Sequence, residues 1–325
     1  MKKAFAVLFA LSLASTLFAQ ADAPRHERQP MDDDGIGAET LKKFPINPGG
    51  DGLIRAMVDE DDALPITANL RYGVAPEALR PAPLAVNLTY HGGDVINVAK
   101  VVCIFWGPTW ASGGSDNSRA TTIQSFRNQL GTSSHYSMLT QYYDSAYIQT
   151  TNLAGSQPDW FDTTNPLPSN GNVTDSVVQS EVKRYVSAHG TNTSTVYEVF
   201  LPKYVPGTSI LVYSSDGSST SCGGPGLAYC AYHSSYYNGS SYVKYSIEPY
   251  PSCSGCQVSG WTVAQNMTHF MVHETREAVT DARGNAWYDS SGYEADDKCA
   301  WTGLFLSNGY GYQPEWSNAA NGCVQ

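Results

Sequence analysis

The sequence predicts an α+β domain, a mixed sheet packed on a long helix and stabilised by disulfides. Three observations predict it. Short runs of β-branched and aromatic residues, each of strand length, recur from Val95 to Ile247. Segments with apolar residues on one helical face, bounded by capping and stop residues, alternate with them, and the longest comes last. Six of the seven cysteines, Cys222, Cys230, Cys253, Cys256, Cys299 and Cys323, lie in the last third of the chain.

Taken in order, the chain opens with Met1-Lys2-Lys3 and the apolar run Ala4 to Ala14, the layout of an export signal over residues 1–19. That run is too short to stay in a bilayer, and no later stretch is apolar enough for a membrane helix. Residues 20–85 hold eight of the eighteen prolines, no cysteine, and the acidic clusters Asp32 to Asp34 and Asp59 to Asp62. They read as an acidic extension or pro-segment whose carboxylates could occupy a metal position. The folded domain is expected over residues 86–325.

Within it, Val95 to Trp106 reads as a buried strand and Ser118 to Leu130 as a helix stopped by Gly131. A second helix runs from a Thr174 cap through Val178, Val182 and Val186 to Gly190. Strands are expected at Val196 to Leu201 and Ser209 to Tyr213. A hairpin then pairs Tyr229 to Tyr236 with Tyr242 to Ile247 about the turn Asn238-Gly239. The last helix begins near Thr262, where Thr-x-x-Gln makes a capping box with Gln265, and is expected to stop at Gly284.

The formal net charge is −11 and no basic run occurs, which excludes phosphate-based nucleic-acid binding. In an exported chain the late cysteines are expected as disulfides. Sequence proximity favours Cys222 with Cys230, Cys253 with Cys256, and Cys299 with Cys323, leaving Cys103 as a buried free thiol. The Cys253-x-x-Cys256 pair has metal binding or redox chemistry as its alternative.

The last helix carries the chemistry. In His273-Glu274-Thr275-Arg276-Glu277 the imidazole and the second carboxylate are one turn apart on the same face. Such a pair converges on one ion while Glu274 reaches the water held beside it. A further ligand is offered by the segment from Gly292 to Cys299, with Glu294 first and Asp297 second, and a Cys299–Cys323 bridge would pin that segment. Zinc is the expected ion. Calcium or magnesium, which favour oxygen ligands, are the alternatives, since two carboxylates lessen the acidity of a metal-bound water. The other reading is a solvated helix face on which Glu274 and Glu277 pair with Arg276 or Arg283. His269, one turn earlier, is expected to support the site from the core rather than bind the ion, and Asp281, one turn later, to orient a ligand or end the helix.

Several pieces together resemble the plant Exordium or phosphate-induced protein family and its bacterial relatives. They are Thr89-Tyr90-His91-Gly92-Gly93 with the strand ending Phe105-Trp106-Gly107; Cys222, Cys230 and His233; Cys253-x-x-Cys256; and His273-Glu274-x-x-Glu277. Asn285-Ala286-Trp287-Tyr288, Glu294-x-x-Asp297-x-Cys299, Trp316-x-Asn318 and Cys323 complete the set. The resemblance spans residues 86–325 and implies an extracellular, cell-wall or periplasmic location and a final helix like that of the zincin metallopeptidases. It also matches His91 and His233 to family positions.

The resulting expectation is a zincin-like α+β domain acting as a secreted zinc-dependent hydrolase of the metallopeptidase type, on extracellular protein or peptide. Its metal ligands would be His273 and Glu277 with Glu294 or Asp297, and Glu274 its general base. The rival is a non-catalytic cell-wall or carbohydrate-binding protein with a structural metal site, suggested by the many tyrosines and tryptophans.

Overall fold

A computed structural model describes residues 86–217 and 219–325, together with the backbone of two short strands, Arg55–Met57 and Asn69–Arg71. The export signal and most of the acidic extension lie outside the described residues. The two short strands pair antiparallel, Arg55 opposite Arg71.

The framework is a five-stranded mixed sheet. Its strands are β1 (Lys100–Trp106), β2 (Trp160–Asp162), β3 (Thr195–Phe200), β4 (Tyr232–Tyr237) and β5 (Tyr242–Glu248), in the spatial order β4-β5-β3-β1-β2. All neighbours are parallel except β4 and β5, the expected hairpin, in which His233 stands opposite Ser246. The strand expected from Val95 begins only at Lys100, because the Asn97 side chain holds a turn there by donating to Asp144 Oδ1 and the Ala146 carbonyl. The run expected over Ser209 to Tyr213 pairs through a single bridge at Leu211, and the regular strand is Tyr213–Asp216.

Side chains alternate across the sheet and so build two cores. Val101, Cys103 and Phe105 of β1 and Val196 and Phe200 of β3 face helices α1 (Asn117–Leu130) and α3 (Val263–Thr280). Val102, Ile104, Tyr197, Val199, Tyr245 and Ile247 point the other way, against Val178, Val182 and Tyr185 of α2 (Asp175–His189). Cys103 is buried and free.

Helix α3 starts as its capping box predicts. Gln265 N donates to Thr262 Oγ1 at 3.2 Å while Thr262 N donates to Gln265 Oε1 at 2.8 Å. It ends at Thr280, one turn short of Gly284, because Asp281 Oδ1 accepts the N–H groups of Asn285 and Ala286, both at 2.6 Å, and turns the chain. Every residue from Asn266 to Thr280 is buried, so the solvated-face reading fails. Arg276 pairs with Asp296 and Glu315 rather than with either helix glutamate, and Arg283 reaches Asp94.

The segment from Thr89 to Gly93 docks against the chain leaving α3. Gly93 N donates to the Asn285 carbonyl at 2.8 Å, an approach so close that a Cβ at Gly93 would overlap that carbonyl.

Three disulfides close the domain: Cys222–Cys253, Cys230–Cys256 and Cys299–Cys323. The first two correct the pairing by sequence proximity. Two segments lie side by side, so each cysteine of one meets a cysteine of the other at a Cα separation of 5.5 Å. Cys253 and Cys256 thus have different partners and do not form a Cys-x-x-Cys disulfide with each other. Among the described residues no helix is long and apolar enough to cross a membrane.

Candidate metal centre

The site forms where the middle of α3 meets the edge strand β4 and the loop before Cys299. From α3, His273 Nε2 lies 3.1 Å from Glu277 Oε2, the one-turn pairing that the spacing implies. Two ligands of one tetrahedral zinc ion stand about 3.3 Å apart, given bonds of about 2.0 Å.

From β4, His233 enters beside them. Its Nδ1 is 3.2 Å from Glu274 Oε2 and 3.7 Å from Glu277 Oε2, and its Nε2 is 3.7 Å from Glu294 Oε2. Strand parity explains this placement, since Tyr232 and Tyr236 fill the α2 core and His233 must therefore point to the α3 side.

The loop supplies the rest. Asp297 N donates to Glu277 Oε1 at 2.9 Å, which leaves Glu277 Oε2 aimed at the two histidines. Asp297 Oδ1 stands 3.7 Å from His273 Nε2. Trp316 N donates to the Ala295 carbonyl, and the neighbouring Cys323 is bridged to Cys299, so the loop is held on both sides.

Two ligand triads result, His233–Glu277–Glu294 and His273–Glu274–Glu277, with the atoms of each within 4.8 Å of one another. Glu277 belongs to both. His233 Nε2, His273 Nε2, Glu277 Oε2 and both carboxylate oxygens of Glu294 are buried without a hydrogen-bond partner. Burying such groups costs several kcal/mol unless something meets them. A cation in either triad would meet Glu277 Oε2 and the histidine nitrogen beside it, and mixed nitrogen and carboxylate donors are a set that zinc accepts.

Electrostatics agree with this crowding. Burial, added to by the charge of Asp297, pushes the Glu277 carboxyl up to about 8. Burial and the Glu277 charge push Glu294 well above the usual carboxylate range. Burial works against a charge on His273, but Glu277, Asp297 and Glu274 outweigh it and hold its pKa well above the usual value. Burial drives His233 down to about 3, so this ring is neutral and able to ligate. Without metal the cluster keeps protons that a cation would displace.

The predicted site residues His273, Glu274, Glu277, Glu294 and Asp297 are thus brought together. His233 joins them. The spacing of α3 could not reveal it, and its signal in the sequence was the resemblance that matches it, with Cys222 and Cys230, to family positions. His269 stays out of the cluster, as expected, with Nε2 3.0 Å from Gln313 Oε1. His91 lies apart, exposed and stacked on Tyr288 at 3.7 Å. Asp281 closes the turn after α3. Comparison of the chain with protein-family models, curated proteins and solved structures gives no match.

Proposed function

We propose that this cluster binds zinc and that the protein is a secreted zinc-dependent hydrolase of the metallopeptidase type. The observation that carries the metal reading is the pair of buried ligand triads that share Glu277 and draw on α3, β4 and the loop. A mixed sheet with one antiparallel edge strand, packed on a helix bearing His-Glu-x-x-Glu, is compatible with the expected zincin-like arrangement. The three disulfides are compatible with an extracellular location.

His273, Glu277 and Glu294 would hold the ion and leave its fourth position to water, with His233 and Asp297 beside them. Bound zinc supplies a water made acidic enough to attack a carbonyl near neutral pH. Glu274 is the general base, its Oε2 placed by His233 Nδ1 to take the proton. Asp297, with 12 % of its side chain exposed, is where the cluster meets solvent and where a substrate would approach.

A second reading is favoured by burial. His233, His273, Glu274, Glu277 and Glu294 are each 0–1 % exposed, and structural zinc sites are closed where catalytic ones keep an open position. On that reading the ion holds α3, β4 and the loop together in a protein that binds cell-wall polymer.

Metal analysis of the purified protein beside His273→Ala and Glu274→Gln separates these readings. One zinc per chain is expected in wild type, with loss in His273→Ala. Retention of zinc in Glu274→Gln with loss of peptide hydrolysis supports the hydrolase. Zinc in wild type without hydrolysis, and unfolding on chelation, supports the structural site. A metal-free wild type ends both.

A further inference from the structure

We infer that Gln313 is the positioning residue that holds His273 in the tautomer presenting Nε2 to the metal, an inference that rests on the metal reading above. It follows from which groups can only accept a hydrogen bond. One end of the Gln313 amide lies 2.9 Å from the Asp296 carbonyl oxygen and 2.8 Å from Asp296 Oδ1. Asp296 itself is paired on both oxygens with Arg276 and so presents acceptors only. The amide nitrogen must face Asp296, and the amide oxygen must therefore face the opposite way.

On that side stand two imidazoles, His269 Nε2 at 3.0 Å and His273 Nδ1 at 3.3 Å from Gln313 Oε1. An amide oxygen cannot donate, so both nitrogens carry the proton. A neutral His273 with its proton on Nδ1 has a bare Nε2, which is the atom 3.1 Å from Glu277 Oε2. In a ligating histidine the partner of the second nitrogen selects the tautomer and the ring orientation.

The device extends further. Arg276 also donates to the His135 carbonyl at 3.1 Å and to the Gln313 carbonyl at 3.2 Å, so it anchors the backbone of Gln313 as well as Asp296. Gln313, His269, Arg276 and Asp296 are all buried, and water does not compete for these bonds. His269, one turn before His273, shares the same acceptor. It braces Gln313 and does not reach the metal.

The test titrates zinc into the chelator-treated full chain against a chromophoric competitor, in wild type, Gln313→Leu, Gln313→Met and His269→Phe. Long-range proton–nitrogen NMR of the zinc-loaded protein reads the tautomers. In wild type His273 is expected to bind through Nε2 with the proton on Nδ1. Removing the acceptor in either Gln313 variant is expected to weaken zinc about 10–100-fold, the range for an outer partner of a ligating histidine. His269→Phe is expected to change affinity less than about threefold, since it leaves the His273 bond intact. Binding of His273 through Nδ1 in wild type overturns the inference even if neither Gln313 variant folds. Folded Gln313 variants with wild-type affinity and an unchanged His273 signature also overturn it, while the metal reading stands. No zinc in wild type overturns the metal reading first.

Discussion

At the scale of single residues, His233 and Glu277 carry the most weight. Glu277 stands in both triads and has one oxygen fixed by Asp297 N, so Glu277→Gln should abolish stoichiometric zinc while the helix remains, as read by metal analysis and circular dichroism. His233→Ala should weaken zinc at least as much as loss of an outer partner does, about 10–100-fold. A His233→Ala protein with wild-type zinc affinity would remove β4 from the site and leave only the ligands of α3 and the loop.

At the scale of elements, the loop before Cys299 is the one that a helix cannot place for itself. The Cys299–Cys323 bridge spans 24 residues, and closing a loop of this size is worth about 3 kcal/mol in the chain-entropy model. Replacing both cysteines by serine should lower the melting temperature and also weaken zinc, because Glu294 and Asp297 lose their anchor. Unchanged zinc affinity in that double variant would show that Trp316 N and the Asp297–Glu277 bond suffice to hold the loop. Helix α3 offers the converse control. Thr262→Ala breaks the capping box and should cost about 1 kcal/mol in urea unfolding without altering zinc stoichiometry.

At the scale of the whole molecule, buried acids make stability depend on pH. Burial pushes Glu198 and Glu277 up to about 8 and Asp281 up to about 7, and His273 also keeps its proton well above the usual range. From pH 7 to about 8 the unfolded chain has released these protons while the folded chain still holds them, so metal-free stability should fall as pH rises. His233 and His269, both lowered to about 3 by burial, act the other way only below the ordinary histidine value of about 6.5. Zinc displaces protons from its ligands, so its stabilising effect should grow over the same interval. Melting curves at pH 7 and 8, with chelator and with zinc, check both statements. A metal-free melting temperature that rises with pH would contradict the first, and a zinc shift indifferent to pH the second.

The sequence by itself determined the features that depend on neighbours along the chain. The Thr262–Gln265 cap, the one-turn spacing of His273 and Glu277, the hairpin about Asn238-Gly239 and the Cys299–Cys323 bridge were all legible, because helical period, turn chemistry and short loops act over a few to a few tens of residues. The tertiary structure alone decided what meets across space. It put His233 beside Glu274 through the parity of an edge strand, and it crossed Cys222 and Cys230 over to Cys253 and Cys256. It also buried every face of α3 and turned Arg276 away from the helix glutamates toward Asp296. It brought Gln313, just past the strand Tyr310–Tyr312 and 40 residues after His273, within 3.3 Å of that ring's Nδ1. The reason is that sheet order and layer packing fix lateral neighbours, and a one-dimensional pattern of apolar and polar residues does not encode which strand lies next to which helix.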